Sequence, residues 1–442
     1  MPRRRRRRFQ LRLNARAARL LALGFVIALI AVSVGCVVYE RTPQPQPDHL
    51  PPAQRLVEPI DALTCIEGWI PSWADEAALV QQAAQAGFTG LLFFHGSVKA
   101  DGKVSLEDPK GLQAGVDLAN ARELTTWLTV TNHGSDLGGA LASGRTDAHV
   151  ESLLAAWRKS GCGHLDLDYE SLTLSQLKAL ESCIEGIVEG LGSNARLSLT
   201  LQPADGTLRP DQLPVYRRLL ANRNVACLRL MAYDYHWKGS LPGALCPLPA
   251  FERLIEAYPE YRSKLVMCLP LYGYDWARPQ DATIPTASTI TLRDLPNLSG
   301  PVRAVWMRQD AELALEYGGT NRHWVAAPSL RAVRQRVQVM LQQGVPGVCF
   351  WHLGCASLAA VANAARDPET SQPEAFETTE SESWRQWQQA FKQRVCDTVT
   401  ARPGDTLESI GRAAGVERAA MFRFNEDLTN DGLAGKTVYV PR

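Results

Sequence analysis

Short apolar runs alternate with amphipathic stretches through the middle of the chain. The stretches of helical period include Glu76–Ala86 and Asp147–Lys159, each followed by a glycine suited to a helix C-cap. Eight apolar runs have the length and composition of buried strands, at 64–70, 89–95, 125–132, 164–170, 196–203, 226–234, 265–273 and 347–354. Eight strands that alternate with helices predict an α/β fold, a (β/α)8 TIM barrel over residues 60–365.

The competing α/β architecture is a doubly wound parallel sheet. Such a sheet carries a glycine-rich phosphate loop after its first strand. The first run reads Cys65-Ile66-Glu67-Gly68-Trp69 and contains no loop of this kind. The pattern therefore favours the closed barrel.

The N-terminal region has the pattern of a membrane anchor. Residues 20–39 carry no charge, and an apolar helix of about 20 residues spans a bilayer. Residues 1–19 contain nine arginines and no acidic residue, and such a flank stays in the cytoplasm. We predict a basic cytoplasmic head over 1–19 and a single-pass signal anchor over 20–39. The anchor would lie in the inner membrane, with the remaining domains in the periplasm. A cleaved signal peptide and a lipoprotein signal ending at Cys36 remain alternatives.

Two further segments are predicted to be linkers, and one to be a small domain. Residues 40–59 are rich in proline and polar residues, a composition that favours an extended polyproline II stalk. Residues 366–395 begin with an acidic stretch that lacks apolar periodicity, so we predict a second linker there. Residues 396–442 have the order strand, helix, helix, strand, with Asp405 or Thr406 suited to cap the first helix. They predict a C-terminal βααβ domain.

Charge and cysteine usage exclude several classes of partner. The formal net charge is +1, so the chain without its nine N-terminal arginines carries −8, which argues against a nucleic-acid partner. Four of the ten cysteines, Cys162, Cys227, Cys268 and Cys349, fall in apolar runs. We expect these four to be buried free thiols, with no disulfide framework and no metal site built from them. No cofactor is predicted.

The fourth run concentrates the chemistry. It ends in Leu165-Asp166-Leu167-Asp168-Tyr169-Glu170, with an acid at every second position. Alternate residues of a strand share a face, so the three acids would point into the barrel and the apolar residues toward the helices. Like charges this close resist joint ionisation, so at least one acid should retain a proton near neutral pH. Glu170 ends the strand, where barrel active sites lie, and is the candidate general acid.

Two other interpretations of the acidic strand are less favoured. A solvated acidic face is common in strands, but parallel barrel strands have no such face. Clustered carboxylates also bind Mg²⁺ or Ca²⁺. Apart from His164, no His, Asn or further acid close by in sequence completes a metal shell, so we predict none.

These residues resemble glycoside hydrolase family 18, the chitinase-type barrels. His164-Leu165-Asp166-Leu167-Asp168-Tyr169-Glu170 is similar to the end of the DxxDxDxE signature. Three later segments match in order, Met231-Ala232-Tyr233-Asp234, Leu269-Pro270-Leu271-Tyr272-Gly273 and Gly347-Val348-Cys349-Phe350-Trp351. The resemblance covers residues 62–365 and implies a barrel that hydrolyses N-acetylglucosamine polymers.

The departures from the family pattern favour one subgroup. Gly163 stands in place of the first signature Asp, and Thr129-Val130-Thr131-Asn132 replaces the usual S-x-G-G. The latter is similar to spore-cortex peptidoglycan hydrolases. The stretch between Gly273 and the eighth strand is expected to be too short for the inserted lobe of processive chitinases, which implies a shallow groove.

The resemblance also implies roles for individual residues. Glu170 would protonate the glycosidic oxygen while the 2-acetamido oxygen of the substrate attacks the anomeric carbon. Asp168 would bind the acetamido N–H, and Asp166 would share a proton with Asp168. Tyr233 would align the acetamido oxygen, and Trp351 would stack on the sugar. Asp234, Tyr272 and Asn132 are further candidates for the cleft.

The tail resembles a lysin motif (LysM), a module that binds N-acetylglucosamine-containing glycans. The turn Gly404-Asp405-Thr406-Leu407 would border its glycan groove. A barrel and a tail that both bind such sugars imply peptidoglycan or chitin as the partner, and the predicted periplasmic anchor favours peptidoglycan. The alternatives are a chitinase and a catalytically silent glycan-binding or wall-anchoring protein.

Overall fold

A computed structural model describes most of the chain beyond residue 57. It covers residues 58–133, 137, 141, 146–202, 209–277, 287–318, 323–370, 375–381, 384–425, 428–430 and 432–442. The predicted head, the anchor, Cys36 and nearly all of the proline-rich linker lie outside these residues. Within the described part, none of the helices has both the length and the apolar composition that a membrane crossing requires.

Eight parallel strands close into a barrel, which confirms the predicted fold. The first strand pairs with the eighth through Cys65 and Gly347 and with the second through Glu67 and Gly90. Each of the eight apolar runs overlaps one of these strands. In chain order the barrel strands are Cys65–Pro71, Gly90–Val98, Thr125–Thr131, His164–Asp168, Leu197–Leu201, Val225–Met231, Leu265–Pro270 and Gly347–Trp351.

Helices follow the barrel strands and cover the outside of the barrel. In the first, the Asp75 side chain accepts a hydrogen bond from the backbone N–H of Ala78, and Gly87 ends the helix at a φ of 75°. That left-handed conformation favours glycine because it has no Cβ. The described helices of the barrel are Glu76–Ala86, Pro109–Asn120, Thr146–Ser160, Leu174–Leu191, Leu213–Ala221, Leu248–Glu256, Leu330–Gln342 and Leu358–Arg366.

The main core lies between the strands and the helices. Leu165, Leu167 and Tyr169 of the fourth strand are buried in it, as their alternation with the acids predicts. The four cysteines of the apolar runs are buried as well, and every cysteine of the described residues is a free thiol. The apolar positions of the acidic strand therefore hold it against the helices, which turns its acids inward.

A second sheet between the seventh and eighth barrel strands corrects the expectation that this stretch is too short for an inserted lobe. Five antiparallel strands lie there, and a sixth from 379–381 joins their edge. Because the five strands have only five or six residues each, they fit into a stretch that we expected to be too small. Its strands are Tyr272–Ala277, Ala287–Thr291, Arg303–Met307, Glu312–Tyr317, His323–Ala327 and Thr379–Ser381.

The region predicted as the second linker includes a packed helix. It contains the helix Arg385–Val395, whose Trp387 and Phe391 are buried against the inserted sheet. Phe391 lies edge-on to Trp324 of that sheet at 5.2 Å and stacks on Phe424 of the tail at 6.3 Å. An apolar face at helical spacing therefore follows the acidic stretch and joins the tail to the insert.

The tail has the predicted order of elements. Two antiparallel strands enclose two helices, and Thr406 caps the first helix by accepting from the backbone N–H of Ser409. The elements are Cys396–Thr400, Leu407–Ala414, Arg418–Phe424 and Thr437–Pro441.

Candidate active site

The three acids of the fourth strand lie at increasing height inside the barrel. Asp166 is fully buried, Asp168 is 4 % exposed, and the Glu170 side chain is 18 % exposed at the mouth. The strand itself ends at Asp168, so Glu170 is carried by the connection that follows. This gradient places a carboxyl group at the solvent boundary above two buried ones.

Asp166 is anchored in a polar network on the barrel axis that was not predicted from the sequence. Its oxygens accept hydrogen bonds from the hydroxyls of Thr129, Ser198 and Thr200, at 2.6 to 3.1 Å. Burial raises the pKa of Asp166, and the positive charge of Arg229 opposes that rise. The neighbouring strands therefore fix Asp166 in place through donors at matching heights.

Arg229 is the centre of this network. Its guanidinium donates to Glu67 at 2.6 Å and to Asp166 at 3.3 Å, and it lies 4.6 Å from the centre of the Trp127 ring. The Trp127 indole N–H also donates to Glu67, at 3.1 Å. One buried cation thus joins acids of the first and fourth strands in a region without exposure to water.

Proton sharing between Asp166 and Asp168 stays a prediction. Hydroxyl groups and Arg229 contact the oxygens of Asp166. Asp168 Oδ1 is buried and has no hydrogen-bond partner. Burial, followed by the charges of Glu170 and Asp166, raises the pKa of Asp168 well above its ordinary value. The retained proton expected in the cluster is therefore favoured on Asp168.

Glu170 is held from two sides. The Asn132 amide accepts from the Glu170 backbone N–H at 2.8 Å and donates to its carbonyl at 3.1 Å. Asn132 was predicted to line the cleft, but the structure uses it to position the acid. His133 Nε2 lies 2.7 Å from Glu170 Oε1. His133 was not predicted, and its only sequence signal was its place beside Asn132.

Residues of the sixth, seventh and eighth strands complete the cleft. Tyr233, Asp234, Tyr272 and Trp351 line a cavity of about 220 Å³ together with Asp168 and Glu170. The structure thus brings together six of the eight predicted barrel residues. The other two are Asp166, which lies below the cleft, and Asn132, which lies behind Glu170.

Asp234 is fixed by the inserted sheet. The hydroxyls of Tyr272 and Tyr274 both donate to Asp234 Oδ1, at 2.6 and 3.1 Å. Burial raises the pKa of Asp234, and the two tyrosine hydrogen bonds oppose that rise. Burial also raises the pKa of Tyr233 well above its ordinary value, so its hydroxyl stays protonated and can donate a hydrogen bond.

Aromatic rings surround Trp351. Phe94 contacts it edge-on at 5.0 Å between ring centres, and Trp69 does so at 5.8 Å. Both line the same cavity, and neither was predicted as a site residue. Their only sequence signal was a place near the end of a predicted strand. Fixed rings around an indole provide a rigid apolar floor.

One group in the described part of the chain has the spacing of a metal site. His133, Asp168 and Glu170 each place one possible ligand atom within 4.8 Å of the other two. The same short distances suit the passage of protons between these groups. An arrangement in which Glu170 acts as an acid above the unpartnered Oδ1 of Asp168 would place these groups equally close together, and it needs no metal ion.

The predicted glycan turn of the tail is only partly accessible. Asp405 accepts from the backbone N–H of Arg402 at 2.7 Å, and Gly404 has a φ of 89°. The Leu407 side chain is fully buried in the tail core, and its backbone N–H donates to Asn430. Leu407 therefore supports the turn and offers no side-chain surface to a ligand, whereas Gly404, Asp405 and Thr406 lie at the surface or half-buried.

Comparison with curated proteins finds distant relatives among cell-wall enzymes. No protein-family model matches the chain. A cortical fragment-lytic enzyme of Bacillus anthracis is 22 % identical over 280 residues, which are 60 % of this chain and 65 % of the relative. A second one, from Bacillus cereus, matches to the same extent. The chain thus spans just under two thirds of the length of these relatives.

Solved structures with the same fold include enzymes and a lectin. A chitinase from Chromobacterium violaceum has a TM-score of 0.59 at 17 % identity, covering 68 % of this chain and 98 % of the chitinase. The spore cortex-lytic enzyme SleL of Bacillus cereus has a TM-score of 0.57 at 18 % identity, covering 73 % and 76 %. A chitinase-like agglutinin from Robinia pseudoacacia has a TM-score of 0.56 at 17 % identity, covering 68 % and 98 %. The described barrel therefore has the fold that chitinases share with spore cortex-lytic enzymes.

Proposed function

We propose that this protein is a glycosidase that cleaves β-1,4 bonds in an N-acetylglucosamine-containing glycan by substrate-assisted, retaining chemistry. One observation carries the proposal. The buried, unpartnered Oδ1 of Asp168 lies beneath Glu170 in a cleft that Tyr233 and Trp351 also line. An isolated acceptor of this kind costs free energy unless a donor from a ligand satisfies it.

The chemistry follows from these positions. In the first step Glu170 gives its proton to the glycosidic oxygen, the bond to the anomeric carbon breaks, and the acetamido oxygen of the same sugar bonds to that carbon. The acetamido N–H donates to the unpartnered Oδ1 of Asp168, and this hydrogen bond offsets part of the positive charge of the oxazolinium ion. In the second step the oxygen of a water molecule bonds to the anomeric carbon, and Glu170 takes a proton from that water. The bond between the anomeric carbon and the acetamido oxygen breaks, which opens the oxazolinium ring. The sugar keeps its anomeric configuration.

The remaining cleft residues position the substrate. The Tyr233 hydroxyl donates to the acetamido oxygen and directs it toward the anomeric carbon. Trp351, supported by Phe94 and Trp69, stacks on the apolar face of the sugar. Asp234 lies between Tyr272 and Tyr274 and binds a hydroxyl group at the inserted wall. Asp166 and Asn132 hold the reacting acids without touching the substrate.

Peptidoglycan is the polymer that we favour. The relatives from Bacillus anthracis and Bacillus cereus are named cortical fragment-lytic enzymes, and SleL is named a spore cortex-lytic enzyme. We further propose that residues 396–442 form a LysM domain that binds the same glycan. The signal anchor over 20–39, or lipidation at Cys36, would place both domains in the periplasm beside their substrate.

The decisive experiment compares wild type with Glu170→Gln on purified peptidoglycan and on N-acetylglucosamine oligomers. Mass spectrometry of the released fragments identifies the bond that is cleaved. We expect Glu170→Gln to lower kcat by about 10²- to 10⁴-fold, because general acid catalysis contributes that factor. Glu185→Gln, on the exposed face of a barrel helix, is the matched control and should retain full activity.

Equal product from wild type and Glu170→Gln would remove the hydrolase proposal. Binding of the glycan without any cleavage by wild type would favour a glycan-binding protein instead. The same fold occurs in the Robinia agglutinin, so the fold alone does not decide between the two.

A further inference from the structure

We propose that His133 stores the proton that Glu170 delivers to the glycosidic oxygen. The acid of this cleft would then be an imidazole–carboxyl pair rather than a lone carboxyl group. The inference rests on the function proposed above and concerns the same cleft.

The contact between the two side chains carries the inference. His133 Nε2 lies 2.7 Å from Glu170 Oε1, within the range of a charge-assisted hydrogen bond. The His133 side chain is 52 % exposed and that of Glu170 is 18 % exposed, so the imidazole is the member of the pair that is more open to solvent. Phe94 contacts the imidazole at 5.7 Å between ring centres, and Thr131 accepts from the backbone N–H of His133.

The surroundings of His133 favour a protonated imidazole while the cleft is open. Among the described residues, the titratable groups that face it are Glu170 and Asp168, both acids, and Phe94 is uncharged. The hydrogen bond with Glu170 raises the pKa of His133, and burial opposes that rise. Imidazole binds a proton about two pH units above a carboxylate. A proton that the two groups share is therefore favoured on the imidazole.

Substrate binding changes that preference. A sugar that covers the cleft removes water, and burial of an ion pair costs more than burial of its neutral form. The N–H bond at Nε2 of His133 then breaks, and an O–H bond forms at Oε1 of Glu170. That proton next passes to the glycosidic oxygen. In the second step the proton from water returns to Glu170 and then to His133, so each turnover restores the starting pair.

This arrangement has a consequence for the pH dependence of kcat/KM. The free enzyme stays active as long as the pair retains one proton, so the imidazole sets the basic limb of the profile. His133→Gln keeps an N–H donor near Oε1 but stores no proton. A carboxylic acid without the imidazole ordinarily loses its proton about two pH units lower. We expect the basic limb to move down by about one to two units, which lowers kcat/KM by about 10- to 100-fold above both limbs.

The experiment measures kcat/KM against pH on N-acetylglucosamine oligomers for full-length wild type, His133→Gln and His133→Ala. Free imidazole is added to His133→Ala, because the half-exposed site admits it, and should restore activity near neutral pH. His323→Gln is the matched control. His323 pairs with Asp275 at 2.9 Å in the inserted sheet, away from the cleft, and its variant should leave the profile unchanged.

The outcomes separate this inference from the proposed function. An unmoved or upward-shifted basic limb in His133→Gln overturns the inference, because His133 would then only donate a hydrogen bond. Loss of wild-type activity in EDTA overturns it too, since a cation rather than a proton would join the pair. If Glu170→Gln is inactive in either case, the hydrolase function stands. If wild type and Glu170→Gln release equal product, the function itself fails.

Discussion

Removing the buried cation at the centre of the barrel should destabilise the protein strongly. Arg229 is fully buried and holds Glu67 and Asp166 through hydrogen bonds of 2.6 and 3.3 Å. Arg229→Met keeps most of the volume but leaves two buried carboxyl groups without their cation. Breaking a buried ion pair from one side costs about 3–5 kcal/mol, and we expect a loss of this size in the free energy of unfolding at pH 7.

The pH dependence gives the prediction a sign. Without Arg229, the strongest influence against the burial that raises the pKa of Asp166 is lost, and only the hydroxyl hydrogen bonds still oppose it. A carboxyl group whose pKa is higher in the folded state binds more protons folded than unfolded, so its folded state gains stability as pH falls. The deficit of Arg229→Met should therefore shrink between pH 7 and pH 5, by about 1.4 kcal/mol for each unit over which one carboxyl group takes up its proton.

Urea unfolding of the full-length protein, followed by tryptophan fluorescence, measures both effects. Glu67→Gln combined with Arg229→Met tests the pair directly, since the neutral amide needs no cation. We expect the double variant to be at least about 1 kcal/mol more stable than the sum of the single effects predicts. Additive effects, or a deficit below about 1 kcal/mol at pH 7, would refute the role of Arg229 as the neutralising partner of these acids.

Two further predictions concern positions at the edges of the described fold. Gly163→Asp restores the missing signature acid and should leave kcat/KM within about twofold and the free energy of unfolding within about 1 kcal/mol of wild type. The reason is that Gly163 is exposed and an added Cβ would lie 3.7 Å from its nearest neighbours. Enzyme assays and thermal unfolding check this, and a large gain in activity would contradict it. Phe391→Ala should cost about 3–5 kcal/mol of local stability between the tail and the inserted sheet, which limited proteolysis around residue 396 would detect. The exposed Val399→Ala is its control, and equal cleavage of the two variants would contradict the prediction.

The barrel could be predicted from the sequence because its strands are buried on both faces. Buried parallel strands have continuous apolar sequences, and each predicted run overlaps a strand of the structure. The alternation of Asp166, Asp168 and Glu170 was also informative, because a strand has only two faces and helices cover one of them. Short stretches of sequence therefore predict both the barrel strands and the inward direction of the three acids.

Partners that come from distant strands could not be predicted in the same way. Arg229 lies 63 residues from Asp166 in the chain, and its charge within an apolar run gave no indication of which acid it meets. His133 lies 37 residues before Glu170, and their contact depends on how two neighbouring strands end. The groups that hold Asp166 were not predicted for the same reason, since they belong to other strands.

The inserted sheet and the helix after the barrel were missed for a different reason. The strands between the seventh and eighth barrel strands are five or six residues long, and turn residues interrupt the apolar pattern. The acidic composition before Arg385 suggested a linker, although Trp387 and Phe391 follow at helical spacing. The average composition of this region is polar, so it did not reveal that Trp387 and Phe391 pack against residues distant in the sequence.

The packing around Phe391 also limits how this protein can be dissected. The helix Arg385–Val395 runs directly into the first strand of the tail, and Phe391 is 1 % exposed between Trp324 and Phe424. Truncation after residue 395 would remove Phe424 and expose the Phe391 ring to water, and exposed apolar patches promote aggregation. A drop in activity after such a truncation could then result from aggregation, without any effect of the tail on catalysis. Single-residue substitutions are therefore a better way than truncation to determine which functions belong to the barrel and which to the tail.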